Sequence, residues 1–361
     1  MNIKFIQFLK DPFTKENLQF FSFENNAENI ISGILLNKIS GNVFPIIKGV
    51  PVLLSSSLTK DFCKKYEKKL IEIKKNFPSA SINPSTQKNT WSFSLEWDSH
   101  NSKNLDTTWG MSTSGRYEQF LIENQIKESQ LNNKIVLDAG CGNGMLSEYI
   151  SQKDCLVFGI DYSESVFMAE EKRKSENVCF VRGDLQHPPF DNDFFDIIFS
   201  NGVLHHTPDT YKTFKSVAKC VKPEGRFYLW LYCRKGGFLW RIKRRWFDFL
   251  RTIVSRTHSV IQKCAVNIHT SISFGIQYLS GKKFKRNFDE IRIDMYDSIT
   301  PRWRYYHDPL EVSKWFFECG FNAGILTHWD NPYGFGMLGY KNKITRTPGV
   351  NYTNKYLNPH N

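Results

Sequence analysis

With 361 residues, 40% of them hydrophobic and 15% aromatic, the chain has material for at least one full core and is neither disordered nor a collagen-like or low-complexity sequence. Eight scattered cysteines without a C-x-x-C pair speak against a disulfide framework or a cysteine metal site, so no metal is expected and a reducing cytoplasm fits best. The formal charge of +12 favours an acidic partner but does not choose between nucleic acid, an anionic membrane surface and a phosphorylated substrate.

In chain order, Met1 to Lys10 carry Lys4 and Lys10 around a short apolar patch and show no small-residue cleavage site, so no export signal is expected. Residues 1–57 read as a small β module, from the runs Ile30 to Leu36, Val43 to Ile47 and Val50 to Leu54 with a Lys48-Gly49 turn. Residues 58–115 read as a lysine-rich, solvated helix over Lys60 to Phe77 and a polar linker from Pro78 to Thr90. Trp91, Phe93, Trp97 and Trp109 then either pin the connection over a ligand site or fill a crevice.

From residue 116 to 342 apolar β-type runs alternate with helical patterns, which predicts βαβ units and a parallel sheet. Strands are expected at Ile135 to Ala139, Cys155 to Ile160, Val178 to Val181, Phe195 to Ser200 and Phe227 to Leu231. Asp308-Pro309-Leu310-Glu311 reads as a capped helix start, Val312, Trp315, Phe316 and Cys319 as its apolar face, and Gly320 as its stop. Gly324 to Trp329 and Gly336 to Tyr340 flank a turn at Asp330-Asn331-Pro332-Tyr333, so an antiparallel hairpin is expected to close the sheet. Residues 343–361 read as a polar tail, and the longest uncharged stretch, Cys264 to Gly281, is too polar to span a membrane.

The chemistry concentrates where Val136-Leu137-Asp138-Ala139 runs into Gly140-Cys141-Gly142-Asn143-Gly144. Such a turn lets a ligand approach the backbone closely, and Asp161 follows at the distance of an acid that holds ribose hydroxyls, as in dinucleotide-binding proteins. Asp138 separates the readings: it would repel a pyrophosphate but favour a ligand with an amino group and a sulfonium, such as S-adenosylmethionine. Gly183-Asp184-Leu185 adds an acid for an exocyclic adenine amine and a leucine to cover the ring. Three acids thus end three strands on one crevice.

On these motifs, with Gly159-Ile160-Asp161-Tyr162, Asp196 to His206 and Val221 to Arg226, the chain resembles the class I S-adenosylmethionine-dependent methyltransferases from about residue 116 to 342. The resemblance implies a Rossmann-like α/β fold, a seven-stranded sheet with its last strand antiparallel. It also implies that Asp138, Gly140, Gly142, Asp161, Asp184 and Asn201 face the methyl donor, with Gly144, Tyr162 and Leu185 beside them. The alternative is that the glycines serve only a tight turn.

On the acceptor side, His205 and His206 follow the fourth strand at the crevice mouth, where a neutral imidazole can take a hydroxyl proton; the alternative is a helix cap and a packing residue. Asn201-Gly202-Val203-Leu204 lacks an N-P-P-Y clamp, which disfavours adenine-amine methylation.

Residues 234–307 read as an insertion that selects the acceptor. In it Leu239, Ile242, Trp246, Phe249, Leu250 and Ile253 share one helical face, opposite Arg241, Arg244, Arg245, Asp248 and Arg251. This basic amphipathic helix over 238–254 reads as a cap over the acceptor pocket, as an interfacial helix on anionic lipid at the inner face of a membrane, or as a nucleic-acid contact. Trp303, Arg304 and Tyr306, with Tyr305 and His307, either line the acceptor pocket or pack the insertion onto the sheet.

The N-terminal module resembles the zinc-ribbon-like domains that accompany some methyltransferases, through Pro12, Leu18, Gly41, Phe44, Pro45, Ile46, Gly49, Pro51 and Leu53. Asp11, Thr14, Asn37 and Ser40 stand where that pattern has cysteine pairs, so a metal-free module is expected. The leading expectation is a cytoplasmic O-methyltransferase of a small-molecule, glycan or lipid-linked acceptor. The rivals are an RNA or protein methyltransferase and a non-catalytic donor-binding partner subunit.

Overall fold

The structure is a computed structural model, and it describes residues 1–55, 57–84, 107–108, 111–234, 238–279, 287–322, 324–328 and 333–342. Trp91, Phe93, Trp97, Trp109, the turn residues 330–332 and the tail 343–361 lie outside the described residues.

Near the N-terminus, β1 (Gln19–Asn26), β2 (Asn29–Leu36), β3 (Val43–Ile47) and β4 (Val50–Leu53) pair antiparallel in sequence order. Helices α1 (Lys60–Lys65) and α2 (Glu67–Asn76) follow, then the two-residue strands β5 (Thr107–Thr108) and β6 (Met111–Ser112) and helix α3 (Thr113–Glu123). The parallel strands are β7 (Ile135–Ala139), β8 (Leu156–Asp161), β9 (Val178–Gly183), β10 (Phe195–Asn201) and β11 (Val221–Tyr232). Between them lie α4 (Met145–Ile150), α5 (Ser165–Lys172) and α6 (Thr210–Lys219). The chain then forms α7 (Phe238–Val254), α8 (Ser259–Leu279), α9 (Phe288–Ile299) and α10 (Pro309–Glu318), and closes with β12 (Ile325–His328) and β13 (Gly334–Tyr340).

One eleven-stranded sheet results, in the order β1-β2-β3-β4-β9-β8-β7-β10-β11-β13-β12. Its last seven strands are the expected Rossmann-like sheet, with β13 antiparallel to both β11 and β12. The four N-terminal strands extend it: β4 lies parallel to β9, Val52 opposite Arg182 and Leu53 opposite Gly183. A shared core holds the two parts together, because Phe5 and Phe8 meet Phe158 edge-on at 5.2 and 5.9 Å, and Phe44, Ile46 and Leu53 are buried in the same cluster. Edge extension removes an exposed strand edge from β9, all of whose residues are buried.

Helices α1 and α2 are less solvated than the lysines suggested. Phe62, Tyr66, Leu70 and Ile73 recur on one face and bury against Phe23, Ile34, Leu36 and Val43 of the N-terminal strands. The chain breaks between the two helices at Tyr66.

Asp11, Thr14, Asn37 and Ser40 converge, with the Asp11 carboxylate at their centre. Asp11 is fully buried and accepts from Asn37 Nδ2 (2.7 Å), Asn42 Nδ2 (2.9 Å), Ser40 Oγ (3.2 Å) and the Phe13 and Thr14 amides. Burial alone would raise its pKa, but the bonds from Asn42, Phe13, Asn37 and Thr14 outweigh it and hold the carboxyl below its ordinary value. Replacing Asp11 by Ala leaves several buried donors without an acceptor and is expected to destabilise the protein by about 3 kcal/mol, read by urea denaturation. Because the folded pKa is depressed, this contribution is present above the ordinary carboxylate range. It fades as pH falls through the folded value, so the penalty of Asp11→Ala should shrink in acid.

Candidate active site

β7 carries Asp138 to the C-terminal edge of the sheet, and the chain then turns through Gly140, Gly142 and Gly144, all at positive φ (96°, 55° and 72°). Packing dictates two of these glycines: a Cβ on Gly140 would sit 2.2 Å from Val203, and one on Gly144 2.5 Å from Phe180 and 2.6 Å from Ala169. The loop is clamped to the next strand end. Asp161 Oδ2 accepts from the Gly142 amide (2.9 Å), Asp161 Oδ1 from the Ser163 amide and hydroxyl (2.8 and 2.7 Å), and Gly142 O from Ser165 Oγ (2.8 Å).

Asp138 is 5% exposed and accepts a 2.6 Å hydrogen bond from Ser147 Oγ on α4. Burial pushes its pKa up to about 7, with Asp161 adding to the rise while Ser147 and the Arg116 guanidinium oppose it. Asp138, Gly140 and Asn201 meet in one open cleft, with Thr113 and Arg116 from α3 also lining it. Arg116 is the residue that the sequence reading missed: an isolated arginine on a helix has no motif, and only the docking of α3 brings it to the cleft that Asp138 lines.

Asp161 with Tyr162, and Asp184 with Leu185, end β8 and β9, the next strands of the sheet, and do not line this cleft. Asp184 Oδ1 accepts from the Gln186 amide (2.8 Å), Leu185 is buried, and the Tyr162 carbonyl accepts from Arg182 Nε (3.2 Å).

Residues 137–229 match the family of methyltransferase domains. A ubiquinone biosynthesis O-methyltransferase of Coxiella burnetii is 34% identical over 110 residues, 30% of this chain and 46% of that protein. A phosphoethanolamine N-methyltransferase of Zea mays is 33% identical over 122 residues, 31% of this chain and 24% of that protein. The chain thus spans less than half the length of these curated relatives. Among solved structures, magnesium protoporphyrin IX methyltransferase from Synechocystis PCC 6803 aligns at 16% identity and a TM-score of 0.39, over 78% of this chain and 99% of that one.

The cofactor that the methyltransferase resemblance implies is S-adenosylmethionine, and the residues present fit it. A buried carboxyl and a guanidinium, close enough to interact electrostatically, line one cleft, as a zwitterionic amino-acid end requires, and the glycine loop turns beside them.

Past the donor side, the expected acceptor residues form the joint between the insertion and the sheet. Tyr232, at the end of β11, donates its hydroxyl proton to Asp297 of α9, and the Asp297 carboxylate also meets His206 Nε2 (3.0 Å) and Arg304 Nη2 (3.6 Å). Burial would raise the Asp297 pKa, but Arg304, His206 and Tyr232 outweigh it and hold the group ionised. His206 Nδ1 lies 3.0 Å from the Trp303 carbonyl. Arg304 stacks on Tyr232 (4.2 Å), and Tyr306 lies between Arg304 and Arg244. Trp303, Arg304 and Tyr306 therefore tie the insertion down, and none of them lines the donor cleft.

His205 differs from its neighbour. Its ring is fully buried against Tyr232 (4.1 Å) and His206 (4.3 Å), and among the described residues neither ring nitrogen has a hydrogen-bond partner. Burial, with His206 and Arg304 adjacent, pushes its pKa well below the ordinary histidine value, so the ring is uncharged. Neither histidine caps the following helix, since Asp209 does so by accepting from the Lys212 amide (2.9 Å).

Proposed function

We propose that the chain transfers a methyl group from S-adenosylmethionine to the hydroxyl of a small-molecule, glycan or lipid-linked acceptor. The observation that carries the reading is that Asp138 and Arg116, opposite in charge, line the same cleft at the end of β7. Asp138 holds the ammonium and Arg116 the carboxylate of the amino-acid end, while Asp161 fixes the loop and takes a ribose hydroxyl, and Asp184 with Leu185 receives the adenine. When bound, the cofactor supplies an electrophilic methyl group on a sulfonium with a good leaving group. The protein's share is then orientation, exclusion of water and removal of one proton.

His205 takes the proton that the acceptor oxygen loses as its bond to the methyl carbon forms. Its ring is uncharged, and although burial makes it a weak base, neither of its nitrogens has a hydrogen-bond partner among the described residues, which leaves one open to an acceptor hydroxyl. The stretch of likeness to curated relatives covers proteins named for oxygen and for nitrogen acceptors alike, so the choice of oxygen rests on this base.

Labelled-methyl transfer to cell extract separated into small-molecule, lipid, glycan, RNA and protein pools tests the reading. Label is expected in the small-molecule, lipid or glycan pool. Label confined to RNA or protein, or none in any pool with a chain that binds the donor, overturns it.

A further inference from the structure

We propose that the insertion seats the protein on the surface of a bilayer containing anionic phospholipid, through the solvent-facing apolar stripe of α7. The helix is inverted relative to an ordinary surface helix. Ile242, Trp246, Phe249 and Ile253, spaced i, i+4, i+7 and i+11, are 50%, 55%, 58% and 53% exposed. Two of its arginines lie against the protein: Arg251 is nearly buried and pairs with Asp248 at 2.8 Å, and Arg244 covers the Tyr306 ring at 4.7 Å. The core contacts of α7 come from Phe247, Leu250 and Val254, which pack against Val266, Tyr296 and Ile299. The stripe is therefore surplus to the fold. Ile268 and Ile272 on the next helix, α8, are also more than half exposed, and α8 carries a single charged residue, Lys263.

Charge decides the occupant. Residues 238–279 hold Arg241, Lys243, Arg244, Arg245, Arg251, Arg256 and Lys263 against the single acid Asp248, and Arg241 and Arg245 are exposed on one flank of the stripe. A second copy would bring like charges together. An anionic bilayer takes the stripe at the boundary of headgroups and acyl chains and meets the arginines with phosphates. Among the described residues no helix is long and apolar enough to cross a membrane, so the helix lies on the surface.

The test is co-sedimentation of the full chain with vesicles of phosphatidylcholine alone and of equal parts phosphatidylcholine and phosphatidylglycerol. This readout does not depend on methyl transfer, so it stands or falls apart from the proposed activity. Binding to the mixed vesicles only, weakened by salt, is expected. Trp246→Ser with Phe249→Ser should lower the partition coefficient about tenfold or more at an unchanged unfolding temperature. If that variant does not fold, the wild-type comparison of the two vesicle compositions still decides. Absence of wild-type binding to mixed vesicles at low salt overturns the proposal, as does a dimer in light scattering that the double substitution dissolves.

Discussion

Asp138→Asn is expected to weaken binding of S-adenosylmethionine and of its demethylated product about 100-fold at pH 8, measured by calorimetry, and to flatten the pH dependence of that binding. In the ligand-free protein burial raises the Asp138 pKa to about 7, so near neutrality the side chain is divided between its neutral and ionised forms. Only the ionised form attracts an ammonium group. The wild-type dissociation constant should therefore be level above pH 7 and rise below it, approaching about tenfold per pH unit. Binding at pH 7 should release protons, visible as a dependence of the measured heat on buffer ionisation enthalpy. Folding stability moves the other way. A carboxyl whose folded pKa exceeds its unfolded one opposes folding progressively from the ordinary carboxylate range up through about pH 7, so Asp138→Asn should raise the unfolding temperature of the ligand-free protein at pH 8. Lower affinity with higher stability marks a group held in place for its ligand. Wild-type affinity that is level from pH 5.5 to 8 would show that Asp138 does not meet the ammonium.

Where local rules decide, the sequence was readable. Asp308-Pro309-Leu310-Glu311 forms the expected capping box, Asp308 accepting from the Leu310 amide and Glu311 from the Asp308 amide, and Val312, Trp315 and Phe316 are buried below it. The strand ends bearing Asp138, Asp161 and Asp184 are neighbours because βαβ units place consecutive strands side by side.

What escaped is non-local. Nothing in Val50 to Leu53 announces that this strand adds to β9, since strand addition uses backbone groups that every sequence has. Arg116 acquires meaning only through the docking of α3. The period of α7 shows two faces but not which of them turns inward; two of its arginines could turn inward because Arg251 finds Asp248 and Arg244 finds Tyr306. At Asp11 the zinc-ribbon resemblance located the four positions, while the hydrogen-bonded carboxylate that joins them depends on Asn42, a fifth residue outside that pattern.

The two adjacent histidines are expected to separate by readout. His205→Ala should lower kcat about 100- to 1,000-fold while leaving donor affinity close to wild type, and the cavity left among His206, Trp230 and Tyr232 should cost about 2 kcal/mol of stability. His206→Ala should instead destabilise the protein by about 3 kcal/mol, because it strips the buried Asp297 carboxylate of a partner and leaves the Trp303 carbonyl without its ring contact. Since the His205 pKa is depressed, the base is already unprotonated at neutral pH, and its acid limb in kcat should lie below the ordinary histidine range. Proton removal adds a discriminating trend: the loss caused by His205→Ala should shrink for acceptors with more acidic hydroxyls, which part with their proton unaided. A folded His205→Ala protein with undiminished turnover would reduce His205 to a packing residue. A loss that ignores acceptor acidity would assign it to positioning and leave the proton to solvent.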